Sequence, residues 1–397
     1  MAHQNIYIFS LGAHGKGISG SDRIFIEFAR HWSKNFLVKI YLWEEGYQMC
    51  QRQQLVFSNV KFIISKMNPW KKFGFFINYF ARIIEGIKIG FSLKLENTQS
   101  TIIYSSSEFW MDSLPSFILK LRFPKIKWIA AWYQSAPNPF VGFSEGKRSS
   151  RYRLSALIYW LIQFPIKPII NNFANFVLVN NDNEKKKFSK LNKKSKVLVV
   201  LGAVDFEEIK KWKEKFKKEP KIYDAVFQGR FHPQKGVIEL IDIWEKVVQR
   251  KNDAKLVMIG DGPLMSNIKL KVKSAKMANN IILKGYLFDG EEKYKIFSQS
   301  RVVVHPSFYD SGGMSALEAM AFGLPVVGFN LKSYKHYYSK GMIKVRIGDI
   351  SAFATAILQL LSDKKLYKKI KNDAEKLVSK EFSWEYRSRQ ILARMLE

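Results

Sequence analysis

The sequence predicts an α/β protein built from two Rossmann-like domains, each a parallel sheet covered by helices. Three observations lead there. Short apolar strands alternate with helical patterns along most of the chain. The alternation comes as two series, separated by a hydrophilic basic patch at 210–221. The 397 residues also exceed what one core usually serves. The expected division is 1–200, 201–380, and a segment 381–397 that returns to the first domain as a helix.

In the first series the strand-like runs are Ile6–Leu11, Leu37–Trp43, Lys61–Ile64, Thr101–Ser106, Lys127–Trp132 and Phe176–Asn180. Helical patterns occupy Ser21–Trp32 and Trp110–Leu121. The second series is more regular, with strands Asp224–Gln228, Lys255–Ile259, Asn280–Lys284, Arg301–His305 and Pro325–Phe329. Helices fit between them at Gly236–Val248, Leu264–Ala275, Glu291–Gln299 and Gly313–Ala321. Runs this apolar suit strands buried on both faces. Residues 351–397 read as helices. Ligands of such sheets bind beyond the carboxyl ends of the strands, which in a two-domain chain predicts a cleft between the domains.

Hydrophobic residues make up 47% of the chain, enough for two cores, and neither internal repeats nor low-complexity segments occur. The single cysteine, Cys50, cannot form an internal disulfide, which suits a reducing compartment. The N-terminal apolar run is too short for a signal peptide. The nearest approaches to a membrane span, 73–91 and 156–170, are interrupted by charges.

Net charge is +31, from 65 Lys+Arg against 34 Asp+Glu, which points to an anionic partner. Residues 117–170 hold nine basic residues (Arg148 and Arg151 among them) against one acid, Glu145, with large aromatics interleaved. Residues 66–94 repeat the theme with Trp70, Phe73, Phe75, Phe76, Tyr79 and Phe80. Mixed cations and aromatics fit a surface lying on anionic lipid headgroups. Aromatics facing the core and solvated lysines would read the same way. Nucleic acid is the other anionic partner; no known module for it is visible, and none is expected to bind.

The densest chemistry lies in 301–330, RVVVHPSFYDSGGMSALEAMAFGLPVVGFN. A strand opens into a loop holding Asp310, then Gly312, Gly313 and Met314 start a helix that carries Glu318. Such a helix start offers free N–H groups to an anion. His305 ends the strand and reads as structural. Upstream, Gly229 ends a strand and FHPQKG follows, so Arg230 and Lys235 project from one loop. Two such cations match a diphosphate, Arg as a fork and Lys as a point charge, although two solvated basic residues would look alike. Asp261 sits in the Gly-Asp-Gly-Pro turn that ends KLVMI. In the first domain Gly12, Gly15, Gly17 and Gly20 follow the first strand, without the dinucleotide spacing. No HExxH, cysteine cluster, Walker loop or GxSxG occurs, and the six histidines are scattered, so no metal or cofactor is expected.

Taken together, GRFHPQKG, IGDGP, KGYL and HPSFYDSGGMSALEAMAFGLPVV resemble the family-four (group 1) retaining glycosyltransferases, which have the GT-B architecture. Weaker agreement covers the loop at Gly17, LGAVD at 201–205 and FSW at 382–384. The resemblance implies that Glu318 binds the ribose and Asp310 the donor sugar, at an acidic signature whose first member is usually Glu. It implies that Arg230 and Lys235 hold the diphosphate, beside Gly229 and Asp261. Tyr286 and Leu287 would pass the nucleobase, Gly17 would meet the phosphates, and backbone near Gly312, Gly313 and Met314 would face the sugar. Trp132-Tyr133-Gln134 stands where many relatives have a histidine. The implied activity is metal-independent hexosyl transfer from a UDP or GDP sugar to a lipid-linked glycan or glycolipid. It would take place on the cytoplasmic face of the membrane, with the protein bound peripherally. A nucleotide-sugar epimerase of the same architecture is the alternative.

Overall fold

The computed structural model describes residues 5–15, 17–66, 69–95, 98–149, 152–189 and 196–396. The chain divides into two compact units. The first comprises Met1–Ala136, Ile158–Gly202 and Trp384–Glu397, and the second Pro137–Leu157 and Ala203–Ser383. Residues 137–157, which the sequence reading keeps with the first domain, therefore belong to the second unit. Arg151 of the expected basic surface lies outside the described residues.

The first unit carries strands β1 (Asn5–Phe9), β2 (Leu37–Trp43), β3 (Val60–Ser65), β4 (Thr101–Ser105), β5 (Lys127–Ala131), β6 (Phe176–Val179) and β7 (Lys196–Val199). They form one parallel sheet in the order β3-β2-β1-β4-β5-β6-β7. The core lies on both faces of this sheet. Phe9, Ile103, Trp128 and Val177 meet Leu119, Ile166 and Ile170 on one of them. The C-terminal helix Trp384–Leu396 belongs to this unit. Trp32 Nε1 donates to Ser388 O at 3.1 Å, and Lys127 Nζ to Met395 O at 2.9 Å.

The second unit carries β8 (Tyr223–Gln228), β9 (Leu256–Ile259), β10 (Ile281–Gly285), β11 (Ser300–His305), β12 (Val326–Phe329) and β13 (Met342–Val345). This sheet is again parallel, in the order β10-β9-β8-β11-β12-β13. Trp244 of helix Val237–Val248 and Phe353 and Ile357 of helix Ile350–Ser362 cover one face. Strand order reverses between β8 and β11, so the loops leaving these two strands diverge and leave a crevice at their carboxyl ends.

Two edge strands, β7 and β13, escape the sequence reading; each has only four residues and pairs on one side. The hydrophilic basic patch at 210–221 is in part the helix Phe206–Lys215. Its cap is Asp205, whose side chain accepts from Glu208 N at 3.1 Å, with Glu207 and Glu208 in the first turn and Lys213 and Lys215 in the last. That charge order suits the helix dipole, and Trp212 buries the apolar side by stacking on Phe216 and Tyr294.

Burial also sorts the aromatics. In 117–170, Trp128, Trp132 and Phe143 are core residues. Lys120 and Arg122 are tied to backbone carbonyls, and Arg148 is buried. In 66–94 Trp70, Phe73, Phe75, Phe76 and Phe80 are exposed instead, while Tyr79 is half-buried against Leu11, Trp43 and Met111. The amphiphilic surface is thus narrower than the composition suggests.

Glu108, in the loop after β4, is buried and accepts from Tyr159 Oη at 2.9 Å. Burial raises its carboxyl from 4.5 to about 7. The folded state therefore holds a proton that the unfolded chain releases, and stability falls as pH rises through that window by about 3 kcal/mol. Glu108→Gln keeps an acceptor for Tyr159 and should lessen the dependence, with Asp112, raised by burial from 3.8 to about 7, keeping its own share. Denaturant titrations at about pH 5 and about pH 8 check this; an unchanged pH slope would contradict it.

Candidate active site

The site in the second unit is assembled by the loops leaving β8, β9, β10 and β11. After β8 the chain passes Gly229 and Arg230 and enters a short 3-10 turn, Pro233–Lys235. This loop rests on the Gly260–Pro263 turn: Phe231 N donates to Asp261 O at 2.8 Å, and Leu264 N to Phe231 O at 3.0 Å. A side chain at Gly262 would stand 2.6 Å from Phe231 O. Gly236 turns the chain at φ 64°, and a Cβ there would overlap the Pro306 carbonyl. That approach brings Lys235 beside the loop after β11.

There the Lys235 ammonium pairs with Asp310 Oδ2. Asp310 Oδ1 accepts from Gly312 N at 3.2 Å and Gly313 N at 3.1 Å. The helix start read as free for an anion is therefore already filled by the chain's own carboxylate. Burial works to raise the Asp310 carboxyl, but Lys235 and His305 overcome it and hold the group well below the usual carboxylate range. The pair contributes stability at pH above the ordinary value of 3.8, and acidification removes it. His305 Nε2 lies 3.4 Å from Asp310 Oδ2 and 2.7 Å from Tyr334 Oη. Tyr338 Oη donates toward the carbonyls of Gly312 at 2.9 Å and Gly313 at 2.6 Å. Gly313, at φ 60°, caps helix Met314–Ala321, and a side chain there would crowd His305 and both tyrosines.

Glu318, one turn into that helix, accepts from Gln228 Nε2 at 3.0 Å, Lys293 Nζ at 2.5 Å and Tyr294 Oη at 3.1 Å. Lys293 is fully buried. Burial works against its charge, and the Asp289 and Glu318 carboxylates still lift it above the ordinary lysine range. Arg230 differs from every other charged group in this site. It is exposed, and among the described residues its side chain has neither a hydrogen bond nor an ion pair. His232 caps the 3-10 turn; burial, then Arg230 and Lys235, push its imidazole down to about 3, so it is neutral at ordinary pH.

Sequence reasoning missed three contributors. Lys293 lies in an unremarkable helix and gives no signal. Tyr334 and Tyr338 form a tyrosine cluster with Tyr337 that is visible as a pattern without an assigned purpose. The third is the 137–149 segment, anchored by Arg148. This guanidinium is fully buried and forks onto Glu239, with Nε to Oε1 at 2.6 Å and Nη2 to Oε2 at 3.1 Å. It also donates to Phe143 O at 3.0 Å and lies 4.4 Å above the Phe308 ring. Phe143 consequently packs edge-on against His232 and Tyr309.

Of the expected site residues, Gly229, Arg230, Lys235, Asp310, Gly312, Gly313, Met314 and Glu318 come together at the carboxyl ends of β8 and β11. Asp261 is exposed in the neighbouring turn, where its Oδ1 accepts from Gly262 N at 2.7 Å. Half-buried Tyr286 and Leu287 follow β10, whose last residue, Gly285, accepts from Gly260 N at 2.7 Å. Gly17 belongs to the first unit, in the loop after β1, where Gly12 N donates to Asp112 Oδ1 at 3.0 Å.

Comparison with known proteins follows the same division. Residues 205–377 match the family model described as glycosyl transferases group 1. An uncharacterised glycosyltransferase of Methanocaldococcus jannaschii is 30% identical over 203 residues, 48% of this chain and 51% of that protein. The Escherichia coli UDP-Gal:alpha-D-GlcNAc-diphosphoundecaprenol alpha-1,3-galactosyltransferase is 27% identical over 158 residues, 38% of this chain and 40% of its own. The chain thus spans about half, or less, of these curated relatives. The crystal structure of Anabaena HepE in complex with UDP and glucose superposes with a TM-score of 0.72 at 14% identity, covering 100% of both chains. That likeness is one of fold: two parallel-sheet α/β domains of the GT-B class. The second unit, from residue 205 to residue 377, thus matches the group 1 glycosyl transferases, on a fold of two parallel-sheet α/β domains.

Proposed function

We propose that this chain is a retaining hexosyltransferase that moves a sugar from a UDP or GDP sugar to a lipid-linked glycan or glycolipid at the cytoplasmic face of a membrane. One observation carries the reading: an exposed Arg230, without a partner among the described residues, stands with Lys235 on the loop leaving β8, at the point where strand order reverses. A guanidinium left without a protein partner above a built crevice suits a diphosphate. Glu318, oriented by Lys293, Tyr294 and Gln228, presents a carboxylate suited to a ribose diol. Tyr286 and Leu287 supply apolar surface for a base. HepE was crystallised with UDP and glucose, and the galactosyltransferase carries UDP-Gal and a diphosphoundecaprenol acceptor in its name.

In this reading the acceptor hydroxyl attacks C1, the bond from C1 to the diphosphate oxygen breaks, and the acceptor's proton passes to the departing phosphate on the same face. Arg230 and Lys235 stabilise the charge that grows on the diphosphate. Metal is not required for this, so turnover is expected to persist in EDTA. Asp310 is neither nucleophile nor base here. Its carboxylate is taken up by Lys235 and two backbone N–H groups, and its role is to set the helix start against the sugar.

The test is incubation with a panel of UDP and GDP hexoses and a lipid extract, with the product anomer read by NMR. Transfer with the donor's own anomeric configuration is expected. An inverted product would overturn retention. Conversion of the donor to its epimer without acceptor would replace transfer by epimerisation.

A further inference from the structure

Helix Phe75–Ser92 of the first unit is turned inside out. Its buried positions are Arg82, Gly86 and Gly90. The two glycines let it lie against helix Trp110–Arg122: a Cβ at Gly86 would stand 2.7 Å from Met111 O, and one at Gly90 3.0 Å from Ile118 Cβ. Arg82 donates to Leu11 O at 2.5 Å and to Glu45 Oε2 at 2.9 Å, which fixes the helix to the loop after β1 and to the helix Glu44–Arg52. Its outer face, by contrast, is apolar. Phe76, Ile77, Phe80, Ile84 and Phe91 fall within an arc of about 100° on the helix, and each is 47–63% exposed. Contiguous exposed apolar surface of this kind marks an interaction site.

The surrounding charge identifies the occupant. Lys66, Lys72, Lys88 and Lys94 are all exposed around this face. The one acid within the helix, Glu85, already accepts from Ser65 Oγ at 2.8 Å. Pairing two copies through this face would set lysine against lysine in a chain of net charge +31. An anionic bilayer complements both the lysines and the phenylalanines. Among the described residues no helix is long and apolar enough to cross a membrane. Eighteen residues make a rod about 27 Å long that can lie in the interface.

We propose that this face docks the first unit onto anionic lipid bilayers, with its phenylalanines at the acyl–headgroup boundary and its lysines against headgroup phosphates. The inference deepens the membrane part of the function proposed above. It is read by lipid binding alone, so its failure leaves sugar transfer standing.

The experiment is co-sedimentation of the full chain with phosphatidylcholine vesicles, with and without phosphatidylglycerol. Binding is expected only with the anionic lipid. The double variant F76S/F80S should lose about tenfold or more of it. The variant K72E/K88E should lose about fivefold or more per lysine while leaving the apolar face intact. Nucleotide release in solution should be unchanged in both, which reports that each is folded. Equal binding to neutral vesicles, unchanged binding by either variant, or a dimer in sedimentation velocity that F76S/F80S dissolves would overturn the proposal.

Discussion

Arg230→Ala is expected to lower donor turnover, as kcat/KM, by about 100- to 1000-fold, with the melting temperature unchanged. The two halves of this result have different physical origins. The side chain is exposed and unpartnered among the described residues, so its removal leaves no orphaned charge in the fold. In the proposed reaction, however, its charge is offered where the leaving diphosphate becomes more negative, and Lys235 beside it is already paired with Asp310. Lys235→Ala should behave differently and lower turnover and stability together. It strands the buried Asp310 carboxylate, and breaking such a pair costs on the order of 3–5 kcal/mol. Steady-state kinetics beside thermal melts of both variants check the contrast. A melt of Arg230→Ala that falls as far as that of Lys235→Ala would contradict it.

The second large effect is remote from the chemistry. Arg148→Met should destabilise the second unit by about 3–5 kcal/mol, because Glu239 would keep its charge in a buried place without its fork. The change also releases the Phe143 carbonyl and the packing on Phe308, so the 137–149 segment should loosen from the loop at His232. Removing both charges, as in R148M/E239L, should recover much of the loss. Denaturant midpoints of the single and double variants measure this. A double variant no more stable than Arg148→Met would show that the pair's mutual attraction is not what holds the segment.

Most strands of both sheets were legible because each is an apolar run ending in a turn, and the site loops because their glycines and charges cluster. β7 and β13 were not, since four-residue edge strands show no periodicity. The helix Phe206–Lys215 was hidden by its own solvated face. The crossing of 137–157 into the second unit rests on contacts far apart in sequence, a buried arginine paired with an acid 91 residues away and Glu145 N donating to Phe308 O, which no local pattern reveals. Lys293 and Tyr334 were missed for the same reason: their partners Glu318 and His305 are brought near by the sheet, not by the sequence. Asp310 was legible as a residue but not in its surroundings. Its loop suggested free N–H groups, while folding gives them to the carboxylate itself. That leaves Arg230, among the described residues, as the site's uncommitted cation.

The most direct measurement of the central claim is a calorimetric titration of UDP and GDP into the wild-type chain and into Arg230→Ala. One of the two nucleotides should bind the wild type and bind the variant at least about tenfold more weakly. Equal affinity for both proteins, or heat from neither nucleotide, would contradict a diphosphate held at Arg230.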